Sequence, residues 1–450
     1  MLLVILDRTA DIVAVVATTN NFQILDTVDI TKHNLLNELY EHLLSLKKDE
    51  FADNERIVLV YRTENQKKLL DELITVIDIP EFFLIYEQTE NHGGLDWCFP
   101  DNFCIYPWIN LRVFTTGDTK PCCVFRNYIS DGNINNKTLK ELYQGDFMSN
   151  LRQSFLKNEK PKPCIHCWDL ESVGQPSLRL DGKHKLRESY YRLNYLEDDI
   201  NNLKQLDLNL GNQCNLACNI CNRDSSSTIA QNDLDQGIIS IVEFNNLKHQ
   251  VRWAETDEFW NQLLEIAPNI KYLDLYGGEP LMSKTHFKFL QKLIDNNFAS
   301  DIKIDYNSNG TMYSERFFDY WKHFKEVKIS FSIDDIENRF EEQRVGANWL
   351  QVCDNIKKFN EHQSDKFLTE IYPTINTQNV FWIPELIGWI NQQGVNFVSW
   401  NILDYPDRYN IRLLDKQEKI KIVDKLKNFI EYNICNVVIN LLDITETVDN

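Results

Sequence analysis

No stretch of this 450-residue chain approaches the roughly 18 uninterrupted apolar residues that a membrane helix needs. The opening run, Met1-Leu-Leu-Val-Ile-Leu6, is apolar, but Asp7, Arg8 and Asp11 break it at once. A basic start and a long apolar core, the marks of a signal peptide, are both missing. The expectation is a first strand in a cytoplasmic protein that has no membrane partner. A surplus of basic charge is missing as well: 47 Lys and Arg stand against 67 Asp and Glu, a formal charge of −20. A surface that acidic repels phosphate backbones, so nucleic acid is excluded as an expected partner. There is no internal repeat and no low-complexity tract. With 43% hydrophobic and 25% charged residues, the composition is that of a folded soluble protein. Its length points to two or three domains.

What the chain does have is eleven cysteines. In a reducing compartment these signal metal binding or redox chemistry before disulfides. Seven fall into two compact groups, and Cys98, Cys123, Cys353 and Cys435 do not. Of these, Cys98, Cys353 and Cys435 read as packing residues or free thiols.

Residues 1–90 read as a small α/β unit, with strands at Ile57–Tyr61 and Phe82–Tyr86 and helical spacing over residues 65–76. Asn91-His-Gly-Gly94 is a turn signal and a boundary. Residues 95–180 are rich in Cys, Pro and Gly, with only short strand-like pieces such as Asn110–Phe114. So little apolar periodicity implies a weak core, which a bound metal centre would stabilise. From residue 204 to 404 strand and helix alternate. Strands are expected at Leu206–Leu210, Ile270–Tyr276, Ile302–Asn307, Val327–Ile333, Leu368–Asn376 and Phe397–Leu403. Helices lie between them, among them His286–Asp295, Glu315–Phe324 and Trp349–Phe359, and residues 405–450 form a helical extension. Six strands with crossover helices imply a parallel sheet, open or curled into a partial barrel. An active site then belongs at the carboxyl ends of the strands.

The first cysteine group, Cys214-x₃-Cys218-x₂-Cys221, directly follows the first of those strands. Three thiolates on one loop suit a cubane [4Fe–4S] cluster and leave one iron without a protein ligand. A structural zinc ion wants a fourth ligand, yet His184 and His249 are each about 30 residues away. This spacing resembles the defining motif of the radical S-adenosylmethionine (SAM) superfamily, and later strand ends extend the resemblance. Tyr276-Gly277-Gly278-Glu279-Pro280 is similar to the family's GGEP motif, whose backbone and Glu bind the SAM amino group. Its glycines permit close backbone approach to a ligand. Asn307-Ser-Asn309-Gly-Thr311 resembles the ribose-contacting segment. Ser332-Ile-Asp334 and Arg344 resemble the residues that hold the SAM carboxylate, and Tyr372–Asn376 the segment lining the adenine. The residue before the last cysteine, usually aromatic in the family, is here Ile220, which can still pack against adenine. The resemblance implies a partial (β/α)₆ TIM-type barrel, a [4Fe–4S] cluster and SAM as cofactors, and a low-potential electron donor of the flavodoxin or ferredoxin type. It also implies reductive cleavage of SAM to a 5′-deoxyadenosyl radical that abstracts hydrogen from a substrate.

The second group comprises Cys104, then Gly117-x₄-Cys122-Cys123, then Cys164-Ile-His-Cys167. Four cysteines suit either zinc or an iron–sulfur cluster, and the spacing alone does not separate them. The pattern resembles the twitch module, a shortened SPASM domain with one auxiliary [4Fe–4S] cluster. Carried over, the ligands are Cys104, Cys122, Cys164 and Cys167, with Cys123 as the alternative to Cys122. His166 reads as a loop histidine, because the four cysteines complete the shell. The module here precedes the core, whereas in the better-known arrangement it follows. The leading expectation is an oxidoreductase of the maturase type acting on a peptide or protein. A small-molecule radical dehydrogenase and a non-enzymatic iron–sulfur sensor or zinc scaffold are the alternatives. The sensor explains the cysteines but not the motifs at the later strand ends.

Overall fold

The computed structural model describes residues 102–126, 132–172, 177–185 and 199–442, together with five strands in the first 86 residues. The expected helix over 65–76, the turn at Asn91–Gly94 and Cys98 lie outside the described residues. Two compact units are present, one formed by residues 1–103 and 154–160, the other by residues 104–153 and 161–450.

In the first unit, strands β1 (Leu2–Leu6), β2 (Asp11–Thr18), β3 (Asn21–Asp29), β4 (Ile57–Tyr61) and β5 (Phe82–Tyr86) form one sheet in the order β3-β2-β1-β4-β5. β1 pairs antiparallel with β2 and parallel with β4, so the sheet is mixed. The sequence pattern identified β1, β4 and β5 but not β2 and β3.

The second unit is built on an eight-stranded sheet. Its strands are β6 (Asn110–Val113), β7 (Thr119–Lys120), β8 (Gln205–Asn209), β10 (Tyr272–Tyr276), β11 (Lys303–Ser308), β12 (Glu326–Phe331), β14 (Phe367–Ile371) and β16 (Phe397–Val398). The order is β16-β14-β12-β11-β10-β8-β6-β7, and every neighbouring pair is parallel except the β6–β7 hairpin. Two further short pairs lie outside it: β9 (Ala217–Cys218) with β13 (Arg344–Val345), and β15 (Thr374–Ile375) with β17 (Asn401–Ile402). The six expected strands are all present, as the partial TIM-type barrel of the sequence reading. The last two are broken, since Tyr372–Pro373 interrupts the fifth and Ser399–Trp400 the sixth.

Alternation explains the layering. Leu206, Leu208, Leu273, Leu275, Ile304 and Ile329 point into one continuous core beneath the crossover helices. Those helices are capped from the sequence: Thr256, Ser283 and Asn348 each accept a backbone N–H at the start of Asp257–Ile266, Lys284–Asp295 and Trp349–Asn360. Each such cap stabilises its helix by about 1 kcal/mol. The opposite face of the sheet is polar, which distinguishes this barrel from closed ones filled by branched apolar layers.

Part of the cysteine-rich segment packs into the barrel's core. Leu111, Val113, Leu139, Leu142, Tyr143 and Met148 join the barrel's own core, and β6 adds to its sheet beside β8. The expected weakness of residues 95–180 is therefore met by packing against the barrel.

Candidate active site and auxiliary site

The loop of the first cysteine group leaves β8 through Gly211, whose φ of +90° favours glycine. Side chains from the next helix then fasten it. The Cys214 N–H donates to Ser227 Oγ (3.1 Å), and Thr228 Oγ1 donates to the Cys214 carbonyl (2.7 Å). Ser226 donates to the Leu216 carbonyl (2.6 Å) and caps the helix Ser227–Asp235. Sequence reasoning passed over these three hydroxyls; the signal was the Ser-Ser-Ser-Thr run just ahead of a helix. Further along, Cys218 lies in β9 and pairs with Arg344 of β13.

Gly277 and Gly278 hold this loop from below. Gly278 N–H donates to the Gly211 carbonyl (3.0 Å), and Glu279 N–H to that of Gln213 (2.7 Å). A Cβ on Gly278 would sit 2.3 Å from the Gln213 carbonyl oxygen, and one on Gly277 would sit 2.8 Å from that of Gly211. The close approach expected toward a ligand is therefore made first to the cysteine loop itself. The Glu279 carboxylate is fully buried and accepts from Asn309 N–H (2.7 Å), Leu281 N–H (3.1 Å) and Ser308 Oγ (3.0 Å). Burial pushes its pKa up to about 7, against the pull of those hydrogen bonds and of Arg344.

Around the sulfurs, Asn309 Nδ2 lies 3.8 Å from Cys214 Sγ and Arg344 Nη1 lies 4.0 Å from Cys218 Sγ. Asn309, expected at the ribose, also bonds Asn215 and Thr311, so its amide faces the cysteine loop. Asp334 is buried and bonds Arg344 Nη2 (2.7 Å) and the Thr374 N–H (2.8 Å); both its oxygens have protein partners, and it orients Arg344. Arg344 Nε, by contrast, is buried with no acceptor. Ile220 and Ser332 are half-buried beside these groups, and Asn307 is half-buried at the end of β11. Asn376, expected beside the adenine, is fully buried in hydrogen bonds with Thr374, Gln378 and Asn379. Burial pushes Cys218 up to about 12 and raises Cys214 and Cys221. Burial thus favours the thiol form of these cysteines, and iron binding would release protons.

The auxiliary cysteines converge from four places. Cys104 precedes the turn Tyr106–Ile109, Cys122 follows the β6–β7 hairpin, Cys164 ends the 3₁₀ turn Lys162–Cys164, and Cys167 lies in the helix Ile165–Ser172. Cys122 lies within electrostatic reach of Cys104, Cys164 and Cys167, and all four thiols are raised by burial. Cys123, its neighbour, faces the other way, toward Arg112, Asp207 and Asp274. Arg179 was not singled out from the sequence. Its charge reaches Cys104, Cys164 and Cys167, and its guanidinium is held by Glu171 and lies over the Trp168 ring. His166 is helical, not in a loop, and its Nδ1 sits 2.6 Å from Asp404, which also binds Arg126 (2.7 Å) and Arg412. Among the described residues, no three His, Cys or carboxylate side chains are gathered closely enough for a single metal ion. A cubane spreads its thiolates around four irons, so this donor set of buried thiols, a nearby cation and amide N–H groups fits clusters.

Residues 208–390 match the profile of the radical SAM superfamily, and residues 104–168 that of SPASM, an iron–sulfur cluster-binding domain. The chain therefore carries a radical SAM domain over residues 208–390 and a SPASM domain over residues 104–168. Its cofactors are accordingly SAM and [4Fe–4S] clusters. Cys214, Cys218 and Cys221 offer three thiolates for one cluster, and Cys104, Cys122, Cys164 and Cys167 offer four for another. No curated protein matches the sequence. Among solved structures, native anSMEcpe with bound AdoMet aligns at 17% identity and a TM-score of 0.37, over 52% of this chain and 62% of that one. This chain thus spans about three fifths of the length of anSMEcpe. Streptococcus suis SuiB aligns at 14% identity and a TM-score of 0.35, over 74% of this chain and 69% of that one. Among the described residues, no helix is long and apolar enough to cross a membrane.

Proposed function

We propose that this protein is a radical SAM enzyme that modifies a peptide or protein, as a maturase does, using an electron from a flavodoxin- or ferredoxin-type donor. When bound, the cluster and SAM supply a reductive cleavage that yields a hydrogen-abstracting radical. The chain's own residues hold, orient and shield that chemistry. Gly277 and Gly278 seat the cysteine loop, Ser227 and Thr228 lock its backbone, and Asp334 aims Arg344 at the site. Arg344, with a free Nε beside Cys218, is the group that would receive a carboxylate such as that of SAM.

The observation that carries the reading is the second cysteine quartet, on the same compact unit as the radical SAM core and matched as SPASM. In the sequence reading such modules often accompany peptide or protein modification. The test is anaerobic incubation of reconstituted, reduced protein with SAM and a deuterated peptide library. Formation of 5′-deoxyadenosine that carries deuterium from a peptide supports the proposal. Deuterium transfer from small alcohols in place of peptides moves the assignment to a dehydrogenase, and no 5′-deoxyadenosine at all removes the enzyme reading.

A further inference from the structure

The last strand of the barrel has an open edge. β16 ends the eight-stranded order, and the chain runs on through Ser399 and Trp400 into β17, which pairs with β15 alone. Ser399, Asn401 and Leu403 donate their N–H groups to the carbonyls of Ile371, Pro373 and Ile375. In a parallel ladder the residues between them turn the other way. Trp400 and Ile402 therefore direct N–H and C=O outward, where among the described residues no strand pairs with them. Free edges are commonly blunted by lysine, proline or an inward charge. Residues 396–402, Asn-Phe-Val-Ser-Trp-Asn-Ile, contain none of these, and Phe397 and Val398 are 49% and 41% exposed.

A cavity of about 640 Å³ lies along this edge, and residues 398–402 form one of its walls. Ile387 and Ile390 of the helix Ile383–Ile390 and Ile434 and Val437 of the helix Asn433–Leu441 give it an apolar lining. The helix Ile165–Ser172, which carries Cys167, adds His166 and Leu170.

The charges in the lining select the occupant. His166 is already bonded to Asp404, a carboxylate that Arg126 and Arg412 share. Arg412 gives only Nη1 to Asp404, and its Nε and Nη2 meet no acceptor among the described residues. Glu431, also in the lining, has no ion-pair partner among the described residues. The cavity thus offers a free guanidinium face, a free carboxylate and an apolar wall beside an unpaired backbone edge. An extended peptide with one acidic and one basic side chain is complementary to all four.

We infer that this cavity is a docking groove for an extended segment of the substrate peptide, which adds to the sheet as a further strand along residues 398–402. Its carboxylate is received by Arg412 and its cation by Glu431. This rests on the peptide-modifying reading. Five edge residues span about 16 Å, so a segment of about five residues is held. The bound segment lies against the helix that carries His166 and Cys167, and so against the auxiliary module.

The test uses the reconstituted full-length protein and fluorescence anisotropy. The probes are fluorescein-labelled decapeptides rich in Val and Thr that carry one Asp and one Lys, with an analogue in which both are Ala. The charged peptides are expected to bind at least about tenfold more tightly than the analogue. N-methylation of alternate amides deletes the N–H donors along one edge of a strand and keeps every side chain. One of the two alternate sets is expected to weaken binding about tenfold or more, and the other to leave it nearly unchanged. Arg412→Met is expected to remove the advantage of Asp, and Glu431→Gln that of Lys. Glu431→Gln changes an exposed side chain and stands in if Arg412→Met does not fold. No preference for the charged peptides, equal effects of the two methylated sets, affinity unchanged in both variants, or a dimer of the chain that the peptides do not dissociate overturns the inference. Deuterium transfer from peptides to 5′-deoxyadenosine, measured on the same samples, reports separately on the peptide-modifying reading.

Discussion

Replacing Gly278 by alanine tests whether the glycine pair serves the cysteine loop or only a ligand. The new Cβ meets three backbone atoms: Gln213 O at 2.3 Å, Gln213 C at 2.5 Å and Asn212 C at 2.7 Å. None is the end of a flexible side chain, so the two loops must part by about 1 Å to regain ordinary contact. That separation breaks the paired hydrogen bonds Gly278 N–Gly211 O and Glu279 N–Gln213 O, each worth about 1 kcal/mol. The local cost is then about 3–5 kcal/mol with the steric term added. Cys214 follows Gln213 directly and moves with it, whereas functional constellations tolerate displacements of only about 0.5 Å. The expected outcome is selective loss of the core cluster: iron falls from about eight to about four per chain, and SAM cleavage is lost. The assay is iron and sulfide content after anaerobic reconstitution, with 5′-deoxyadenosine production alongside. Full iron content combined with weakened SAM binding would refute the reasoning, because it would mean the glycines matter only to the ligand.

Changing Cys164 and Cys167 together to alanine is expected to lower iron from about eight to about four, and changing Cys123 to leave it unaltered. Iron loss in the Cys123 variant would overturn the assignment of Cys122 as the ligand. Asp334→Asn leaves Arg344 buried beside a neutral partner, and a loss of about 3 kcal/mol in unfolding free energy is expected from denaturant titration. Glu279 should give the iron-free chain a distinct pH dependence. Its pKa is raised in the fold from 4.5 to about 7, so the unfolded state ionises first and stability declines as pH rises through that window. The decline is at most about 3 kcal/mol, and Glu279→Gln should flatten it in thermal melts.

The barrel was legible because Leu206 and Leu208 alternate with Asp207 and Asn209, a pattern that only a one-sided strand produces. The same alternation held the polar lumen in plain view, but which charges stand side by side depends on register, which local pattern does not encode. β6 was read as a strand, yet its place beside β8 comes from a pairing across about 95 residues of chain. The cysteines were found by spacing, while their supports at Arg179, Ser227 and Asp404 are ordinary polar residues made specific only by folding. The ambiguity between Cys122 and Cys123 had the same origin: adjacent residues on one loop point to opposite sides, and no spacing rule states which.

Two of the contacts between the cysteine-rich segment and the barrel lie far apart in its sheet. β6 is hydrogen-bonded to β8 near one edge, and Arg126 and His166 clasp Asp404, beyond the strands of the other. The segment thus ties the strands near one edge of the sheet to the chain beyond the other edge. Whatever metal its cysteines hold then acts as a rivet in the wall, so metal loading and barrel closure are thermodynamically linked. Iron starvation would register as a loosened barrel as well as a missing redox centre.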